Sequence, residues 1–170
     1  ILFWGNTASV YEPYRTNYNF YLIPAKGGEF VKICDYLYNV GGANGATDAK
    51  MGKGQVIKRV GDRLYFTSTY YDGIVLRSVG LKGDIRDELT DLGLITGFDI
   101  SCEGKMVHAA TYGNKMVELY EGKEQLTHFN DELLQSLPLS TPKFHSFVTD
   151  DGIETHGWVM EPIGYEKGKQ

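Results

Sequence analysis

Arg63-Leu64-Tyr65-Phe66-Thr67-Ser68, the turn signal Asp72-Gly73, the run Ile74-Val75-Leu76-Arg77-Ser78-Val79 and a second turn at Lys82-Gly83-Asp84 follow one another almost without a break. This stretch sets the fold class. Its runs are short, rich in β-branched and aromatic residues, and closed by residues that tolerate tight turns, so they read as strands joined in hairpins. Ile85 to Leu89 reads as a further, weaker strand. The series then restarts. Gly97-Phe98-Asp99-Ile100-Ser101 leads to a turn at Glu103-Gly104, and Lys105 to Thr111 returns as a strand. Gly113-Asn114 turns, Met116 to Tyr120 is a strand, Glu121-Gly122-Lys123 turns, and Gln125-Leu126-Thr127 closes the unit. The strand at Leu64 thus recurs at Met106, 42 residues later. A period of ~40–45 residues with four short strands per unit is the signature of propeller blades. A lone blade cannot bury both of its faces, so such units must stack. A β-sandwich also shows several short strands at regular spacing.

Upstream, Ile1-Leu2-Phe3-Trp4 and Phe20-Tyr21-Leu22-Ile23 read as strands, and Phe30 to Ile33 returns as another after the turn Lys26-Gly27-Gly28-Glu29. Between the first two lies a tyrosine-rich stretch, Thr7 to Asn19, in which Pro13 discourages helix. Residues 41–54 hold five glycines and read as a solvated insert. A phosphate-binding loop would need Gly-Lys-Ser/Thr opening a helix, whereas Gly52-Lys53-Gly54 runs into Gln55-Val56-Ile57. The expected class is all-β: a partial propeller of antiparallel four-stranded blades over residues 1–130, about two to three in number. A linker with one short helix follows over 131–143, and a C-terminal hairpin over 144–170. Asn130 is the expected N-cap of the helix Asp131–Leu137, acidic residues fill its first turn, and Pro138 ends it. Phe144 to Thr149 and Thr155 to Met160 flank the turn Asp150-Asp151-Gly152.

Composition narrows the function classes. The chain has 170 residues, 42% hydrophobic and 23% charged, with a formal net charge of −5. Nucleic-acid binding needs a clustered basic face, and the lysines here are scattered. No apolar run approaches the ~20 residues that span a bilayer, and no signal peptide is evident. The chain begins at Ile1 within an apolar run and without a methionine, so it is expected to be a piece of a longer protein, which leaves a targeting signal upstream open; the expected location is the cytoplasm. Cys34 and Cys102 show no metal-binding spacing and are expected to be buried small hydrophobes.

Three segments carry a resemblance. They are Gln125-Leu126-Thr127-His128-Phe129-Asn130, then Pro142-Lys143-Phe144, then Asp150-Asp151-Gly152-Ile153 running to Gly157-Trp158-Val159-Met160-Glu161-Pro162. In this order they resemble the prolyl oligopeptidase family, and most of all its acylaminoacyl-peptidase branch. In that family a last blade ends in a Leu-Thr and Asn segment, and an Asp-Gly to Gly-Trp hairpin opens an α/β-hydrolase domain. Residues 97–162 match the pattern; the blade before them matches in general character. The resemblance implies a propeller that caps a serine-peptidase site and restricts entry to short peptides. It also implies a partner, the hydrolase domain of the same parent chain. The family's catalytic serine sits in a Gly-x-Ser-x-Gly elbow, and no such segment occurs in these residues. No catalytic, metal or cofactor residue can therefore be carried over.

The remaining candidates have bland readings. His108 lies in an apolar strand and reads as a core or pore-facing histidine; His128 reads as a surface hydrogen-bonding group. His145 and His156 lie on opposite arms of the hairpin, a placement that would suit a metal pair, but no third ligand stands at useful spacing. Asp150-Asp151 beside a glycine reads as a turn rather than an acid/base pair. Tyr11, Tyr14, Tyr18 and Tyr21 read as a loop covering a blade edge in preference to a sugar- or peptide-contacting surface. The alternative to a peptidase cap is a stand-alone β-sheet module that binds peptide or carbohydrate. Blades that do not close a ring leave edges open, so self-association is expected.

Overall fold

The computed structural model describes residues 1–7, 17–40, 56–71, 73–91 and 93–168. Tyr11, Pro13 and Tyr14, the glycine-rich insert at 41–54 and Asp72 lie outside the described residues.

The strands form three groups. In the first, β1 (Leu2–Gly5) pairs with β2 (Asn19–Leu22), which pairs with β3 (Val31–Lys32). In the second, β4 (Ile57–Val60), β5 (Arg63–Tyr70), β6 (Gly73–Gly80) and β7 (Ile85–Leu89) form an antiparallel meander. A second meander joins β8 (Leu94–Ile100), β9 (Met106–Thr111), β10 (Glu118–Glu121) and β11 (Glu124–Gln125). Among the described residues one parallel strand pair, Ile74 with Leu94, joins the two meanders. The third group is the hairpin of β12 (Lys143–Val148) and β13 (Glu154–Val159), preceded by α1 (Asp131–Ser136). The all-β class, the antiparallel units and the one short helix are as expected. The strand β4 is not legible in the sequence, because Lys58-Arg59 breaks its apolar pattern.

Strand periodicity explains the stacking. Successive side chains point to opposite faces. From the central meander, Val60, Tyr65, Ile74 and Leu76 pack on Ile95, Phe98, Ile100 and Ala110 of the next unit. Ile57, Leu64, Phe66 and Val79 of the opposite face pack on Leu2, Phe20, Ile33 and Tyr36. The central meander is therefore covered on both sides, and every residue of β6 is buried. The turn after β6 adds a close backbone approach. Gly83 adopts φ +90°, and a Cβ there would meet the Ile33 carbonyl oxygen at 2.5 Å.

One expectation is met in part and another needs correction. Asn130 does stand at the N-cap of α1, where its carbonyl accepts from Leu134 N at 2.9 Å, but its side chain makes no capping hydrogen bond; its backbone N and Nδ2 both donate to Glu118, each at 3.0 Å. Cys102 is exposed, in the tight turn between β8 and β9, and Cys34 is half-buried; neither is the buried hydrophobe expected.

Candidate functional site

The chemistry-bearing side chains gather in three places. The first is the end of the second meander. Glu118 is 2% exposed, and its carboxylate accepts hydrogen bonds from Thr127 Oγ1 at 2.5 Å and from Asn130. Burial alone would raise its pKa, but the hydrogen bonds from Thr127 and Asn130 outweigh it and hold the carboxyl below its ordinary value. The Leu126-Thr127 to Asn130 segment thus acts as a clasp on a buried carboxylate. Beside it, His128 Nδ1 meets Asp131 at 2.8 Å on the surface, the hydrogen-bonding role expected of it.

The second place is the layer between the two meanders. Phe98, His108 and Tyr120 stand in one row across β8, β9 and β10. His108 is almost fully buried, stacks on Tyr120 with ring centroids 5.5 Å apart, and meets Tyr112 Oη through Nε2 at 3.1 Å. Burial lowers its pKa, so it is neutral in the fold. Among the described residues His108 Nδ1 and Tyr120 Oη have no hydrogen-bond partner.

The third place is an aromatic seam that the sequence reading missed. Arg77, from the buried strand β6, lies with its guanidinium carbon 4.6 Å from the centre of the Tyr70 ring, 5.7 Å from that of Tyr36 and 5.8 Å from that of Tyr38. Its Nε donates to Asp87 at 2.6 Å, and a second nitrogen donates to Tyr36 Oη. Burial works against the charge, but Asp87 and Tyr36 keep it firmly cationic. From this base the rings continue outward. Tyr38 contacts Tyr70 at 5.3 Å and Tyr70 contacts Tyr71 at 4.7 Å. Tyr71 stacks on His156 at 4.8 Å, His156 meets the edge of Phe144 at 5.1 Å, and Phe144 meets Trp158 at 5.5 Å. Among the described non-glycine residues Tyr71 alone has a positive φ, 49°. That conformation costs an L-residue about 1–2 kcal/mol. One signal was available in the sequence: an arginine inside Ile-Val-Leu-Arg-Ser-Val must find partners if the strand is buried.

His145 and His156 do not form a pair. Register places His145 opposite Gly157 and His156 opposite Ser146, so the two histidines fall on opposite faces of the hairpin. No cluster of three or more His, Cys, Asp or Glu suited to a metal occurs among the described residues. Asp150 and Asp151 sit in the β12–β13 turn, where the Thr149 hydroxyl bonds Asp151. Of the tyrosine-rich stretch, Tyr18 lies edge-on to Trp4 and Tyr21 stacks on Phe3. Between the second meander and the hairpin runs an apolar cleft of about 400 Å³ lined by Leu94, Thr111, Pro142, Trp158 and Met160. Among the described residues no helix is long and apolar enough to cross a membrane.

No protein-family model and no curated protein sequence matches the chain. Solved structures do. An uncomplexed acylaminoacyl peptidase of Pyrococcus horikoshii gives a TM-score of 0.61 at 22% identity, over 86% of this chain and 21% of its own. An orthorhombic crystal form of the Pyrococcus horikoshii enzyme gives 0.62 at 21% identity, over 86% and 21%. An acylaminoacyl peptidase in complex with Z-Gly-Gly-Phe-chloromethyl ketone gives 0.64 at 21% identity, over 91% and 22%. This chain spans about a fifth of the length of those structures, and the likeness is one of fold.

Proposed function

We propose that the chain is the non-catalytic β-propeller portion of a serine peptidase of the acylaminoacyl-peptidase kind. In this reading residues 1–130 are blades, 131–143 the linker, and 144–170 the hairpin leading into a hydrolase domain of the same parent chain. That domain supplies the serine, its histidine and acid, and the oxyanion donors, which must act in one place. The propeller caps the site and admits short peptides by the width of its passage, without taking part in bond-breaking. The protein works in the cytoplasm, where the thiols of Cys34 and Cys102 stay free. The chain also associates with itself through its open strand edges.

The observation that carries this reading is the extent of the structural match. It covers 86–91% of the chain, which supports a reading in which blades, linker and hairpin belong to one unit. A stand-alone binding module gives no reason for a two-stranded hairpin whose apolar side chains Phe147, Trp158 and Met160 are exposed. The test is hydrolysis of acyl-aminoacyl and aminoacyl chromogenic substrates by this chain and by the longer protein that contains it. The longer protein is expected to cleave them and the chain alone to be inert. Cleavage by the chain alone, lost on His145→Ala or His156→Ala, would place the chemistry here and end the proposal.

A further inference from the structure

We propose that Tyr71 is a latch that fixes the direction of the C-terminal hairpin against the blade stack. Among the described residues the hairpin shares no strand pairing with the other sheets. It is tied to them in part by the linker, where Asn114 Nδ2 donates to the Ser140 carbonyl at 2.7 Å and the Ser140 hydroxyl donates to the Glu161 carbonyl. Those contacts hold the base of the hairpin, at the end that Pro138 and Pro142 flank. Halfway along β13 the hold is different: the Tyr71 ring stacks on His156 at 4.8 Å with 27° between the planes.

Each side of this contact is built in advance. On the blade side, Tyr71 leaves a two-residue connection, since Tyr70 pairs with Gly73. Such connections favour glycine or asparagine where φ is positive. A tyrosine there gains nothing from the turn itself, so its benefit must come from what the ring touches. Although 62% exposed, the ring is braced behind by Tyr70 and Tyr38 at 4.7 and 6.5 Å. Arg77, held by Asp87, sits over Tyr70 and so anchors the brace in the buried strand β6. On the hairpin side, His156, Phe144 and Trp158 share one face; His156 meets Phe144, which in turn meets Trp158, so Phe144 braces the His156 ring. The arrangement is a two-state element: stacked, the hairpin points one way; unstacked, it pivots on the linker. The inference concerns this chain's own geometry and stands whether or not the peptidase reading does.

The test uses the full chain carrying Cys34→Ser and Asp150→Cys, with spin labels on Cys102 and on the new cysteine in the exposed hairpin turn. Electron-electron resonance then reads the distance distribution between blade and hairpin. With Tyr71 in place one narrow distribution is expected. Tyr71→Gly relieves the backbone while removing the ring, and is expected to broaden the distribution roughly two-fold as the unlatched state becomes populated. Tyr71→Phe keeps the stack and is expected to stay narrow. His156→Ala removes the other half and is expected to broaden the distribution as Tyr71→Gly does; His156 is half-buried and outside both core clusters, so this variant keeps the test available if the turn variant misfolds. Narrow distributions in both ring-deleting variants would overturn the proposal. So would broadening in His156→Ala beside a narrow distribution in well-folded Tyr71→Gly, because a latch fails from either side.

Discussion

Glu118 shows how one buried carboxylate makes a fold sensitive to acid. Its folded pKa is held down by Thr127 and Asn130 against the pull of burial. A carboxyl with a lowered folded pKa gives stability that is complete above its unfolded value, here 4.5, and is lost as pH falls through the folded value. Glu118→Gln keeps the shape, loses the charge-assisted bonds and is expected to cost about 1–3 kcal/mol at neutral pH. Urea unfolding across pH 3 to 7 should show this loss together with a flatter acid limb; an unchanged limb would mean that the clasp carries no charge-dependent stability. His108 acts in a higher window. Burial lowers its folded pKa, so the unfolded chain binds the proton first, and stability falls as pH drops from 6.5 towards the folded value. His108→Phe is expected to remove that slope. Because it also removes the unpartnered Nδ1, it should change stability at pH 7 by no more than about 1 kcal/mol. Thermal unfolding at pH 5.5 and 7.5 reads the difference directly.

At the scale of the element, burial on one face or two decides what a substitution costs. Phe66 is fully buried in the central meander and packs against Phe20 at 5.1 Å and Tyr36 at 5.5 Å. Phe66→Ala is expected to cost about 3–5 kcal/mol. Leu119 points from the opposite side of the second meander and is exposed; Leu119→Ala is expected to stay within about 0.5 kcal/mol. Equal costs at the two positions, measured by denaturant midpoint, would contradict the stacking. The same contrast explains what was legible beforehand. Leu64 to Ser68 and Ile74 to Val79 announced themselves because a strand covered on both faces is apolar nearly throughout. The strand β4 stayed hidden because Lys58 and Arg59 interrupt it, and Lys58 in fact reaches Asp99 and the Ile100 carbonyl of the neighbouring unit. Asn130 holds the cap position before α1, but its side chain's preference for a helix N–H loses to a buried carboxylate twelve residues earlier. Arg77 inside an apolar strand signalled that partners must exist, but not which rings they are. Tyr36, Tyr70 and His156 are far apart in sequence, and no local pattern says that stacking will bring their rings together.

At the scale of the molecule, the stack has outer faces. On the first sheet Phe3, Tyr21 and Phe30 form a ring cluster whose outer members are exposed, together with Val31. On the hairpin, Phe144, Phe147 and Val148 of β12 are exposed as well. A two-stranded hairpin is marginal in water unless another layer or strand covers it. Its edges carry little protection: in β12 the single charged residue is Lys143 at the very end, and there is no proline. The net charge of −5 opposes association, but that repulsion is screened beyond ~8 Å at physiological salt, whereas apolar burial and strand pairing are not. Two copies are therefore expected to associate more strongly as salt rises, the opposite of what a charge-driven complex would do. Phe147→Lys places a charge in the middle of the open edge and is expected to return the chain to a monomer without changing its unfolding midpoint. Sedimentation velocity over a range of concentration and salt tests both statements. A wild-type chain that remains monomeric throughout would show that the latched hairpin protects its own edge; dimers that persist in Phe147→Lys would move the contact to the Phe3, Phe30 and Val31 face.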